Sequence, residues 1–132
     1  MNNRPRIRDH MTSHVVTLCP DMEILRAMKL LLEKHFSGAP VVDEHGRLVG
    51  MLSKKDCFRA ALNACYHQEW GGVVGDYMSR DVEVLDADLD LVTAAERFLA
   101  SPYRRFPVME GGRMIGQISR ADLLRALVDQ WR

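Results

Sequence analysis

The chain repeats itself. Residues 9–61 align with residues 76–127 once one position is deleted in the turn near Gly112. Asp9-His10-Met11-Thr12 lies over Asp76-Tyr77-Met78-Ser79, and Ala39-Pro40-Val41-Val42 over Phe106-Pro107-Val108-Met109. Gly46-Arg47-Leu48-Val49-Gly50 lies over Gly112-Arg113-Met114-Ile115-Gly116, and Ser53-Lys54-Lys55-Asp56 over Ser119-Arg120-Ala121-Asp122. A fixed internal period constrains the fold more than any local signal, because each copy must build the same supersecondary unit. A copy of about 60 residues is marginal as an independent core, so the two are expected to share one. Two related sites, facing each other across a pseudo-two-fold axis, are expected to follow.

Within each copy the elements follow from periodicity and punctuation. Val15–Leu18 is rich in β-branched residues and reads as a short strand. Pro20-Asp21 then opens a helix, with Asp21 as its N-cap. Its apolar residues Ile24, Leu25, Met28, Leu31 and Leu32 sit at offsets 0, 1, 4, 7 and 8, one face of a helix. Leu91, Val92, Ala95, Phe98 and Leu99 repeat that stripe behind Asp88 as cap. Pro40–Asp43, the turn Glu44-His45-Gly46 and Leu48–Leu52 read as a hairpin, copied by Pro107–Glu110, Gly111-Gly112 and Met114–Ile118. Closing helices are expected over about Lys55–Ala64 and Ala121–Trp131. The fold class is therefore α+β, two pseudo-symmetric β-α-β-β-α repeats at 9–62 and 75–132. A flexible basic tail is expected at 1–8 and a connector at 63–74. The connector holds Tyr66, His67, Trp70 and Gly71-Gly72; Trp70 is expected to pack on the surface or at an oligomer contact, and Trp131 to serve packing or association.

Lys plus Arg and Asp plus Glu both number 18, so the chain lacks the basic excess of a general nucleic-acid or anionic-membrane binder. No apolar run approaches the roughly 20 residues of a membrane span. The charged N-terminus has no apolar stretch behind it, so it is not expected to be a secretory signal. Cys19, Cys57 and Cys65 are odd in number and form no paired framework. Reduced thiols and a cytoplasmic location are the expectation.

The motif with chemical content is Gly-x-x-Ser-x-x-Asp, found as Gly50–Asp56 and Gly116–Asp122, where the last strand of each copy enters the last helix. A hydroxyl and free N–H groups at a helix start can bind phosphate, and a carboxylate can accept both hydroxyls of a ribose. The same residues also spell a capping box, with Ser53 or Ser119 as N-cap and Asp56 or Asp122 at N3. The two readings are compatible, since a cap faces the space a ligand would fill. His10, His14 and Cys19 fit no standard metal spacing, and the second copy has Tyr77, Asp81 and Asp86 there, so no metal site is expected. No nucleophile, base and orienting group converge and no Gly-rich nucleotide-hydrolysis loop occurs, so no catalytic residues are assigned and an enzyme is not expected.

In this order and duplication the chain resembles a tandem pair of cystathionine β-synthase-type (CBS) domains, the Bateman module. The carrying residues are Met11-Thr12, Val15–Leu18, Pro20-Asp21, Ala39–Asp43, Gly46–Gly50 and Ser53-x-x-Asp56, with their second-copy matches. The resemblance implies units packed through their sheets and usually a homodimer. It also implies regulatory binding of an adenosine-containing ligand in clefts between the repeats. AMP, ADP or ATP is the expected class, with S-adenosylmethionine or a cyclic dinucleotide as alternatives; no cofactor is implied. Asp56 and Asp122 would hold ribose, and Ser53 and Ser119 would reach phosphate or ribose. The base pocket is expected from Leu18, Pro40, Val41, Leu85, Pro107 and Val108. The copies differ before the Pro-Val strand: Ser37-Gly38 in the first, Arg104-Arg105 in the second, with Arg120 inside the second motif. Guanidinium forks match phosphate, so the Asp122 site is expected to bind the phosphorylated nucleotide more tightly. The reading is a stand-alone sensor acting on a downstream protein, with a ligand-free dimerisation or protein-interaction module as the alternative.

Overall fold

The computed structural model describes residues 4–130. Its compact units are not the two sequence copies. One spans Val16–Val82; the other joins the chain before Val16 to the chain after Val82. The first unit contains α1 (Ile24–Lys34), β1 (Gly38–Val42), β2 (Leu48–Ser53), α2 (Lys54–His67) and a single turn, α3 (Val74–Tyr77). The second contains a 3-10 turn at Ile7–Asp9, β3 (Leu85–Asp86), α4 (Leu91–Leu99), β4 (Arg105–Glu110), β5 (Arg113–Ser119) and α5 (Arg120–Gln130).

Both hairpins form as expected, β1 with β2 and β4 with β5, each antiparallel. The deleted position is the turn itself. In the longer turn the Asp43 carboxylate accepts the N–H groups of His45 and Arg47, both at 2.9 Å. In the shorter one Gly111 and Gly112 take φ of 57° and 80°. Two consecutive positive φ values define the tight hairpin turn that glycine accommodates without a Cβ clash. The leading strand is shorter than expected. β3 is two residues long and runs parallel to β4. Its counterpart at Val15–Leu18 contracts to one bridge, Leu18 to Val41, because Pro20 follows and Met22 closes a turn onto the Cys19 carbonyl.

The helix starts also differ from expectation. Neither Asp21 nor Asp88 is a cap. Pro20–Met22 belongs to the turn before α1, which starts at Ile24 and donates its first N–H to the Gly72 carbonyl at 3.2 Å. In α4 the cap is Asp90, whose carboxylate accepts the Thr93 N–H at 2.7 Å. Asp88 lies in the turn after β3, donating its N–H to the Asp86 carboxylate. The helical stripes point inward through Ile24, Ala27 and Leu31, and through Leu91, Ala94 and Phe98. Leu32, Val92 and Leu99, expected in the same stripes, face solvent.

Buried side chains form two clusters instead of one shared core. One gathers Leu18, Ile24, Leu31, Val41, Leu52 and Val74. The other gathers Ile7, Leu85, Leu91, Phe98, Phe106, Val108 and Ile118, with the Phe98 and Phe106 rings edge-on at 4.7 Å. Ile7 corrects the reading of residues 4–8 as a flexible tail. It is fully buried, its N–H bonds the Leu89 carbonyl at 3.0 Å, and neighbouring Arg8 pairs with Asp88 and Glu110. One apolar residue among three arginines anchors the segment, a signal that net basic character hides. Trp131 lies outside the described residues.

The unit boundaries follow from one reciprocal contact. Thr12 pairs with Gln117 on β5, and Ser79 pairs with Met51 on β2. Each copy's leading segment therefore lies on the hairpin of the other copy. Glycine makes room for it. A Cβ on Gly116 would stand 2.6 Å from the Met11 sulfur and 2.7 Å from the Thr12 carbonyl. A Cβ on Gly50 would stand 2.6 Å from the Met78 sulfur and 2.8 Å from the Ser79 carbonyl. The backbone oxygens are held in paired segments, so the clash cannot relax through the thioether alone. Gly50→Ala and Gly116→Ala should each cost about 1–3 kcal/mol by urea unfolding. Gly71→Ala, which meets open space at ordinary φ, should stay within about 0.5 kcal/mol of the parent.

Candidate functional site

The two Ser-x-x-Asp motifs fall where a strand ends and a helix begins, and both close a capping box. In the first unit the Ser53 N–H donates to Asp56 Oδ2 at 2.9 Å and the Asp56 N–H donates to Ser53 Oγ at 3.1 Å. In the second, the Ser119 N–H reaches Asp122 Oδ2 at 3.0 Å and the Asp122 N–H reaches Ser119 Oγ at 3.1 Å. Each box satisfies two helix-end donors, an arrangement worth about 1 kcal/mol. The capping role is therefore occupied in both copies.

The second carboxylate oxygen has a partner that the motif does not reveal. Asp56 Oδ1 accepts from the Arg59 guanidinium, and Asp122 Oδ1 accepts from Arg125 at 2.8 Å. The Asp56 side chain is 12% exposed and that of Asp122 16%, whereas Arg59 and Arg125 are 66% and 71% exposed. Neither acid is sealed inside the protein; each meets solvent beneath an arginine one helical turn along. The Asp-x-x-Arg spacing is a helical i,i+3 ion pair and was legible in both copies.

The basic residues of the second copy gather at the same place. Arg105 stands opposite Ser119 in the β4–β5 register, and the Arg120 N–H bonds the Arg104 carbonyl at 2.9 Å. Arg104 and Arg105 are exposed and make no ion pair among the described residues; Arg120 Nη2 lies 3.5 Å from the Pro102 carbonyl. The first unit repeats the backbone pattern with other side chains: Gly38 opposes Ser53, and the Lys54 N–H bonds the Ser37 carbonyl at 2.9 Å. Register thus places Arg104 and Arg105 where the first copy has Ser37 and Gly38.

The residues expected to line a base pocket are placed differently. Leu18 and Val41 belong to one core cluster, Leu85 and Val108 to the other, and all four are essentially without exposed surface. They sit on the helix-facing side of their sheets, which spends their apolar surface on packing. Pro40 and Pro107 alternate with them on the opposite faces and are buried as well.

An open pocket of about 360 Å³ lies beside α2 and α3, lined by Arg59, Leu62, Asn63, Tyr66, Asp76 and Tyr77. An apolar one of about 180 Å³ lies between α1 and α2, lined by Met28, Leu31, Leu32, Lys54, Cys57, Phe58 and Ala61. Trp70 is partly exposed, and no cluster of three or more His, Cys, Asp or Glu with metal-binding geometry occurs among the described residues. No helix among them is long and apolar enough to cross a membrane. Cys19 and Cys65 are exposed; Cys57 is buried, and burial, with the neighbouring Asp56 charge, pushes its thiol above the ordinary range.

A raised thiol pKa means the reactive thiolate appears only at higher pH. Iodoacetamide at pH 8 should therefore label Cys19 and Cys65 well before Cys57, read by peptide mass mapping. The Cys57 rate should still climb above pH 9, and unfolding in urea should abolish the difference.

The family model for the CBS domain matches residues 7–63 and 74–129. A Methanocaldococcus jannaschii protein, MJ1225, is 32% identical over 129 residues, 98% of this chain and 45% of that protein. The chain thus spans less than half of that relative's length. The crystal structure of CBSX2 in complex with AMP is 31% identical, with a TM-score of 0.82, over 96% of this chain and 98% of that one. A second crystal structure, of the CBS-pair protein CBSX2 from Arabidopsis thaliana, is 30% identical with a TM-score of 0.83, over 98% and 99% of the respective chains.

Proposed function

The chain belongs to the CBS-domain family, and we propose that it is a regulatory module whose two Ser-x-x-Asp helix mouths bind an adenosine-containing ligand of the AMP, ADP or ATP class. The observation that carries this reading is the second mouth: Ser119 and Asp122 at the start of α5, beside Arg104, Arg105 and Arg120. Guanidinium forks with no carboxylate partner among the described residues, next to helix-start N–H groups, suit a phosphate, and a carboxylate one turn in suits a ribose diol. The AMP complex of CBSX2, similar over nearly the whole chain, supports the ligand class. The first mouth offers Ser53, Asp56 and Lys54 with no arginine at the matching strand position, so it is the weaker phosphate site.

Calorimetry with AMP, ADP and ATP tests this. Asp122→Asn should weaken binding by about tenfold or more, the size expected when a charged acceptor is lost. Asp56→Asn should weaken it less; equal losses reject the asymmetry. Asparagine keeps an acceptor for the capping box, so stability and binding separate. S-adenosylmethionine and a cyclic dinucleotide are the competing ligands in a parallel thermal-shift series.

The module works as a homodimer in this reading. Leu32, Phe58 and Leu62 are exposed in one unit, and Leu99, Leu124 and Val128 are exposed at the matching positions of the other. Such apolar positions, recurring on α1–α2 and on α4–α5, suit each unit to association. The same exposed residues support the second reading, a ligand-free interaction module, which gains if no adenosyl ligand at millimolar concentration raises the melting temperature. Phe58→Glu combined with Leu124→Glu should convert the dimer to monomer in sedimentation. A parent that sediments as a monomer rejects the dimer.

A further inference from the structure

We propose that Arg59 is a latch on the first site: it holds Asp56 while the site is empty, competes with the ribose diol for it, and on release turns toward Asp76. This rests on the nucleoside reading given above and goes beyond it to the residue that sets affinity and reports occupancy. The starting point is how little of Asp56 is left over. Oδ2 already accepts the Ser53 N–H and the Ser53 hydroxyl, at 2.9 and 3.0 Å. Oδ1 accepts from Arg59, and the side chain is 12% exposed. Oδ1 keeps one acceptor site beside Arg59, so a diol that places both of its hydroxyls on the carboxylate must take the one Arg59 now uses.

The arginine is built to leave. Its side chain is 66% exposed, so the pair is of the weak, solvent-screened kind. It also has somewhere to go. Arg59 lines the pocket of about 360 Å³ that also holds Asp76, Tyr77 and Tyr66. Asp76 engages one oxygen, Oδ2, with the Val73 N–H at 2.9 Å, leaving Oδ1 for a guanidinium. Asn63 donates to the Tyr77 hydroxyl at 3.3 Å, which fixes one wall of that pocket. Two acidic partners flanking one long side chain make a two-position element. A ligand that binds only when Asp56 is released shifts its population. The consequence is chemical information carried outward: occupancy at the α2 start changes the charge and shape of the α2–α3 surface.

Adenosine is the probe, because it lacks a phosphate and so separates diol binding from phosphate attraction. The Ser53 amide signal in two-dimensional NMR reads the first site alone, and the Ser119 signal the second. Arg59→Ala should tighten adenosine binding at Ser53 by about two- to fivefold, the range an exposed ion pair can contribute. Asp76→Asn should weaken it in the parent and leave it unchanged in Arg59→Ala, a coupling that a merely structural role for Asp76 does not produce. If the parent binds adenosine and Arg59→Ala binds equally or more weakly, the latch is wrong and the nucleoside reading stands. If adenosine and AMP move neither the Ser53 nor the Ser119 signal in either protein, both are wrong. If Arg59→Ala weakens AMP binding and leaves adenosine unchanged, Arg59 is a phosphate ligand instead.

Discussion

The fold depends on two places where a side chain is missing. At Gly50 and Gly116 the hairpin backbone lies bare, and a methionine sulfur with the next residue's carbonyl fills the space a Cβ would take. That contact lets Met78-Ser79 zip onto β2 and Met11-Thr12 onto β5. The rest follows in order. The leading segments bring Ile7 and Val74 into the cores, the cores orient the hairpins, and the hairpins end at the two helix mouths. A glycine that read as part of a ligand motif is first of all a packing requirement.

Most of the architecture was legible because it was written twice. The hairpins, the closing helices and the one-residue difference between turns are local, and turn chemistry with periodicity specifies them. What escaped was non-local. Asp21 and Asp88 look like caps because caps are recognised by residue type, yet the turns after Leu18 and β3 use up the chain before the helix can start. The α1 donor at Ile24 is met by the Gly72 carbonyl, from a segment 48 positions away that no window connects to it. Ile7 escaped for a related reason: burial depends on what the chain docks against, and arginines on both sides mask it.

At the site, the motif predicted the position and understated the competition. A serine and an aspartate three apart at a helix start satisfy each other before they can satisfy anything else. The four apolar residues proposed for a base pocket, Leu18, Val41, Leu85 and Val108, went to the cores because alternation along a strand commits one face to the helices behind it. Arg104 and Arg105 were legible as an asymmetry in an otherwise faithful repeat. The structure adds their register, with Arg105 opposite Ser119 and Gly38 opposite Ser53. Asp56 and Asp122 each gained an arginine partner, Arg59 and Arg125, which the i,i+3 spacing carries but the Ser-x-x-Asp motif alone does not.

The exchange of leading segments bears on ancestry. A single half, cut free, has a glycine notch with nothing of its own to fill it and a methionine arm with nowhere of its own to lie. Two such halves complete one another only as a swapped pair, each lending its arm. Joining the two in tandem turns that loan into a covalent arrangement and leaves each copy free to drift. Arginines in one mouth and a serine-glycine pair in the other are a difference that two copies held in one chain need not share.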